Sequence, residues 1–239
     1  MEFILFNGIM LIGGLQKLTL IDYPEKLACT VFLTGCNFYC PWCYSPELVL
    51  PEKIKKQPKI LEKEFFNFLK TRKGFLEGVV ICGGEPTINK ELPGFIKKIK
   101  KMGYAVKLDT NGSNPKMLKT LIEKKLVDYI AMDIKAPREK YQKVVGRKIN
   151  ITNIEKSISL LKEDIVDYEF RTTVNPLLKK DDIIKIAQWL SGAKKYYLQN
   201  FRPEKTLDPK FKKKKPYSEK YLLEIQKTIS PFFETCQVR

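Results

Sequence analysis

Three of the six cysteines stand close together as Cys36-Asn-Phe-Tyr-Cys40-Pro-Trp-Cys43, a C-x3-C-x2-C run. Soft thiolates at this spacing, in a loop that contains Gly35, can fold around one centre and favour an iron–sulfur cluster or zinc. A closed zinc site needs a fourth ligand, which would have to come from Cys29, Cys82, Cys236 or a carboxylate. Three cysteines on a four-iron cluster instead leave one iron open to a substrate. A disulfide framework does not suit a chain kept in a reducing compartment. The sequence has no histidine, which excludes Ser-His-Asp triads, Cys-His pairs and His-ligated metals.

Further chemistry-bearing residues follow apolar runs. Gly83-Gly84-Glu85-Pro86 pairs two glycines, which let backbone approach a ligand closely, with a carboxylate that can accept from an ammonium group. The same four residues also make an ordinary turn. Asp109-Thr110-Asn111-Gly112 and Asp133-Ile134-Lys135 put carboxylates at two neighbouring strand ends, where turn chemistry is again the alternative. Arg171 alternates with apolar neighbours, so its guanidinium can clamp a ligand carboxylate or form an ion pair with Glu169 or Asp133. Trp42 suits either the core or a cofactor contact.

The elements that carry these residues alternate. Short β-rich runs predict strands at 29–34, 79–82, 105–108, 127–132, 168–174 and 195–198, and helical periodicity predicts helices at 61–71, 90–102, 115–125, 154–162 and 181–190. Asn114 before Pro115, and Asp181-Asp182 at another helix start, support that phase. Alternation implies a parallel sheet with right-handed crossovers, as a doubly wound sheet or an incomplete barrel. Either collects ligands at the carboxyl ends of its strands, where the motifs lie.

Composition narrows the partners. Of 239 residues, 44 are Lys or Arg and 27 are Asp or Glu, a net charge of +17. The charge suits a nucleic acid, an acidic protein or a solvated lysine-rich surface. The run at 97–101 reads as a solvated helix face. Lys212 to Lys215, before a helix near 219–228, lack the aromatic stacking residues of nucleic-acid readers, so nucleic acid ranks below an acidic protein. The apolar start lacks a basic flank and a small-residue cleavage site, and no later run reaches membrane-spanning length, so a cytoplasmic protein is expected. Cys29, Cys82 and Cys236 read as small buried apolar residues.

The cysteine run, with Trp42 before its last member, resembles the signature of the radical S-adenosylmethionine superfamily. The stretch 21–48, from Ile21-Asp22-Tyr23-Pro24 to Pro46-Glu47-Leu48, is similar to glycyl-radical-enzyme activating enzymes, notably those of anaerobic ribonucleoside-triphosphate reductase and pyruvate formate-lyase. The resemblance covers about 10–203 and implies an α/β fold, a partial (β/α)6 TIM-like barrel. The expected layout is a lead-in at 1–15, a radical core at 16–203 and a basic tail with a helix at 204–239. These relatives usually open near Ile12, which suggests Met10 as initiator and 1–9 as an extension.

The resemblance implies a [4Fe–4S] cluster on Cys36, Cys40 and Cys43 with one iron free of cysteine. S-adenosylmethionine would bind that iron, with Gly83, Gly84 and Glu85 holding its methionine amino group. It further implies a monovalent cation on Asp109, Thr110, Asp133 and the Ala131 carbonyl. Lys135, Trp42 and Tyr44 would lie by the cofactor, Arg171 near its carboxylate, and Asn200 or Phe201 by its nucleoside. Tyr44-Ser45 departs from the His-Asn usual in this branch. The implied reaction is reductive cleavage to a 5′-deoxyadenosyl radical that takes hydrogen from a glycine of a partner enzyme, with flavodoxin or ferredoxin as electron donor. The alternatives are a radical enzyme acting on a small molecule, such as a deazapurine synthase, and a non-catalytic iron–sulfur or zinc protein.

Overall fold

The computed structural model describes residues 10–239; the extension at 1–9, and with it most of the lead-in, lies outside them. Eight strands follow one another in a single sheet in chain order, β1 to β8. Strand β1 (Ile12–Thr19) pairs antiparallel with β2 (Ala28–Leu33), and β2 is parallel to β3 (Gly78–Gly83), which is parallel to β4 (Ala105–Thr110). Then come β5 (Tyr129–Asp133), β6 (Asp167–Val174), β7 (Lys195–Asn200) and β8 (Thr235–Val238), with β6–β7 and β7–β8 parallel.

The six expected strands are all present, shifted by a residue or two at their ends. Strands β1 and β8 are additional. β1 carries Gly13-Gly14 and an exposed Gln16-Lys17-Leu18 face, and β8 is only four residues long. Each is made by its neighbour's hydrogen-bond ladder rather than by its own pattern. The segment after 203 therefore supplies a strand as well as the expected helix.

By contacts the chain divides into two units. The first comprises 10–37, Pro46–Thr110 and Lys116–Ile130. It holds β1 to β4 with helices α1 (Pro46–Val49), α2 (Pro51–Lys56), α3 (Glu62–Thr71), α4 (Leu92–Lys101) and α5 (Pro115–Glu123). Helix α4 shows how the elements form. Leu92, Phe95, Ile96 and Ile99 recur at one-turn spacing and are buried, while Lys97, Lys98 and Lys101 face water as expected. Strand β2 is buried on both faces apart from Phe32, as a parallel strand covered by helices requires.

The second unit comprises Phe38–Ser45, Asn111–Pro115 and Ala131–Arg239. It holds β6 to β8 with α6 (Tyr141–Val145), α7 (Ile151–Lys162), α8 (Lys180–Leu190) and α9 (Glu219–Ile229). Asn150 and Ser218 cap α7 and α9 by accepting from the N–H of Thr152 and Tyr221. Strand β8 is tied to α9 where Gln226 donates to the Cys236 carbonyl (2.8 Å).

Candidate functional site

In the first unit, β2 ends at Leu33 and the chain enters the cysteine loop through Thr34 and Gly35. The Gly35 N–H donates to the Leu48 carbonyl (2.7 Å), and Thr34 N–H donates to Leu11 (3.0 Å). Beside it, the turn after β3 continues the parallel ladder, with Gly84 N–H on the Leu33 carbonyl (2.9 Å) and Glu85 N–H on that of Gly35 (2.7 Å). These bonds explain the glycine pair. A Cβ on Gly84 would lie 1.9 Å from the Gly35 oxygen, and Gly83, at φ +123°, would bring one to 2.3 Å from that of Leu33. The close approach read from the sequence is thus an approach to the chain's own backbone at the entry to the cysteine loop.

Glu85 is 1% exposed. Its Oε1 accepts from the N–H (3.1 Å) and hydroxyl of Thr87 and from the Thr110 hydroxyl (2.7 Å). The structure therefore brings Thr110 to Glu85, while Asp109 is met by Lys107, a residue the sequence reading passed over. Lys107 and Asp109 are two apart on β4 and share a face, which was a usable signal.

In the second unit, the rest of the loop is pinned by its backbone. Tyr39 N–H donates to Val145 (2.9 Å), Asp208 N–H to Pro41 (2.9 Å) and Cys43 N–H to Cys40 (3.0 Å). Cys40 is buried, which pushes its thiol up to about 12 against the opposing pull of the Lys135 charge. Trp42 is buried and Tyr44 half exposed, with its hydroxyl donating to the Asn200 carbonyl (3.3 Å). Burial also raises the Tyr44 hydroxyl above its ordinary value.

Strands β5 and β6 supply a charged cluster. Asp133 contacts Lys135 Nζ (3.1 Å) and Arg171 Nε (3.1 Å). Burial alone would raise its carboxyl, but Arg171 and Lys135 hold it at about 2. Burial disfavours the Lys135 charge, yet Asp133 holds that ammonium above its ordinary range. Arg171 also lies 3.9 Å from the fully buried Glu169, which Arg239 meets at 3.1 Å while stacking on Tyr197. Arg171 thus makes both ion pairs anticipated for it; nothing in the sequence pointed to Arg239. Asn200 Nδ2 donates to the Tyr217 carbonyl (2.7 Å), which fixes the amide, and its Oδ1 is buried with no partner among the described residues. Phe201 is buried edge-on to Phe211.

The remaining cysteines are buried or partly buried. Cys29 and Cys236 are buried, with thiols pushed up to about 12 and about 11, and Cys82 packs partly buried against the Val80 cluster. No disulfide joins any of the six. Among the described residues, no three Cys, Asp or Glu side chains are gathered as a metal site, and no helix is long and apolar enough to cross a membrane.

Residues 30–190 match the family model described as the radical SAM superfamily. A Methanocaldococcus jannaschii protein provisionally named a glycyl-radical enzyme activating enzyme is 35% identical over 96% of this chain and 95% of its own length. The 7-carboxy-7-deazaguanine synthase of Thermococcus kodakarensis is 24% identical over 72% of this chain and 74% of its own. Among solved structures, Streptococcus suis SuiB bound to precursor peptide SuiA superposes with a TM-score of 0.65 at 13% identity, over 85% of this chain and 46% of that one. That likeness speaks to the fold alone: an α/β arrangement with a mostly parallel sheet.

Proposed function

The chain belongs to the radical SAM superfamily, and from that premise we propose that it is an activating enzyme which takes hydrogen from a glycine of a partner glycyl-radical enzyme. The observation that carries the reading is the agreement between Cys36-x3-Cys40-x2-Cys43 and a 35% identical relative of matching length. When bound, a reduced [4Fe–4S] cluster and S-adenosylmethionine would supply the hydrogen-abstracting radical. Every other contribution comes from this chain.

The donor set fits such a cluster. Three thiols with no histidine or carboxylate on the loop are soft ligands of the kind iron–sulfur clusters take. The loop backbone is held at Gly35, Tyr39, Pro41 and Cys43, and the Lys135 ammonium partly offsets the burial that raises the Cys40 thiol. Cys36, Cys40 and Cys43 would hold the cluster, leaving one iron for S-adenosylmethionine.

The chain also carries groups suited to that cofactor. Glu85, fixed by Thr87 and Thr110, would accept its methionine ammonium over the Gly83-Gly84 turn. The orphaned Asn200 Oδ1 is a buried acceptor that a nucleoside donor would satisfy. Tyr44, Trp42 and Phe201 would exclude water around it. Lys135 and Arg171 would supply positive charge toward its carboxylate while holding Asp133.

The basic surface, at +17, would steer an acidic electron donor such as flavodoxin or ferredoxin. We place the protein in the cytoplasm on the same reading. The test mixes the reduced, cluster-loaded protein and S-adenosylmethionine with the glycyl-radical enzymes of its host. A glycyl doublet in the EPR spectrum of one of them is the expected result. Its absence from all, with a small molecule turned over instead, would favour the second reading, a deazapurine-synthase-like enzyme, which the Thermococcus relative supports.

A further inference from the structure

The resemblance implies a monovalent cation shared by Asp109 and Asp133, yet each carboxylate is already met by cationic side chains of this chain. Lys107 is the unusual one. It is 1% exposed, and its ammonium bonds Asp109 Oδ1 and lies 6.0 Å from the Tyr129 ring centroid. Lysine is almost never buried unless paired, and here the partner is the expected cation ligand. Thr110, a second expected ligand, donates its hydroxyl to Glu85. Asp133 in its turn lies 3.1 Å from both Lys135 and Arg171.

We propose that Lys107 is this chain's internal substitute for the monovalent cation: its ammonium neutralises Asp109, as Lys135 and Arg171 neutralise Asp133, so cofactor binding needs neither K⁺ nor Na⁺. An ammonium is itself a compact monovalent cation, and one tethered two residues from its carboxylate is present at every salt concentration. A free cation entering at Asp109 would face the like charge of Lys107 at close range, with little water between them to screen it. Lys107 is a positioning residue, acting through Asp109 rather than on the reacting atoms. The inference rests on the reading that the chain binds S-adenosylmethionine.

The experiment uses the cluster-loaded full chain in KCl, NaCl or tetramethylammonium chloride at equal ionic strength. It reads S-adenosylmethionine affinity by equilibrium dialysis and, separately, the thermal midpoint without that ligand. The wild type should bind within about twofold across the three salts, with one midpoint. Lys107→Arg should behave alike. Lys107→Met should bind about tenfold more weakly in tetramethylammonium, and K⁺ should restore its affinity and raise its midpoint. A wild type whose affinity or midpoint falls in tetramethylammonium and recovers in K⁺ overturns the proposal. So does a folded Lys107→Met indifferent to K⁺ in both readouts. If Lys107→Met does not fold, the wild type and Lys107→Arg decide. Absence of binding in every salt would count against the proposed function, and the midpoints would still judge Lys107.

Discussion

Glu85 and Asp133 are carboxylates at the carboxyl ends of strands in different units, and they are satisfied by different means. Glu85 accepts from two threonine hydroxyls and a backbone N–H, whereas Asp133 is held by two cations. Neutral donors orient a carboxylate without cancelling its charge, whereas cations cancel it. Asp133 lies between two positive charges and braces β5 against β6. The same kind of group is thus held by neutral donors in one unit and by cations in the other.

The largest effect tests whether that division serves a cofactor at all. Cys43→Ala should abolish cluster assembly and 5′-deoxyadenosine formation while leaving the fold intact, as read by bound iron, product analysis and circular dichroism. A variant that still cleaves S-adenosylmethionine would break the comparison at its root.

Asp133→Asn comes next. It leaves Lys135 largely buried without its counter-ion and Arg171 with only the more distant Glu169, and should cost about 3 kcal/mol, measured by urea unfolding of the cluster-free chain. The pH dependence follows from the same pair of charges. With its carboxyl lowered from 3.8 to about 2 in the folded state, Asp133 contributes stability that is complete above about pH 4. That contribution, about 2 kcal/mol, is lost as pH falls through about 2. The Asn variant should lose this part of the acid dependence, and an unchanged acid limb would refute the pairing.

Glu85→Gln separates charge from hydrogen bonding. Gln keeps an oxygen for Thr87 and Thr110, so stability should change by about 1 kcal/mol. S-adenosylmethionine affinity should fall about tenfold or more, since the charge-assisted contact is lost. A large stability loss with unchanged affinity would make Glu85 purely structural. Tyr44→Phe should do least: it removes one half-exposed hydroxyl bond to Asn200, worth about 0.5 kcal/mol in a melting experiment.

What could be read from the sequence followed the range of the interactions. The cysteine spacing, the six strand runs and the α4 face are local patterns, and each is legible without knowing what packs against it. Strands β1 and β8 were not, because an edge strand with two glycines or only four residues takes its conformation from its neighbour. Candidate residues were legible by type and position, but their pairings were not. Asp109 and Thr110 are adjacent, yet Lys107 meets one and Glu85 the other, because the strand's alternation turns adjacent residues to opposite faces. Arg239 closes on Glu169 from 70 positions away, a distance that no sequence pattern spans. Lys107 is the intermediate case: its pairing with Asp109 follows from the period of a strand, and only its burial required the fold.

The most direct test of the central claim is anaerobic reconstitution with iron and sulfide, followed by dithionite and S-adenosylmethionine. The expected result is about four irons per chain, an EPR signal of the reduced cluster that changes when S-adenosylmethionine is added, and 5′-deoxyadenosine as product. Tightly bound zinc, an unperturbed spectrum and intact S-adenosylmethionine would contradict it.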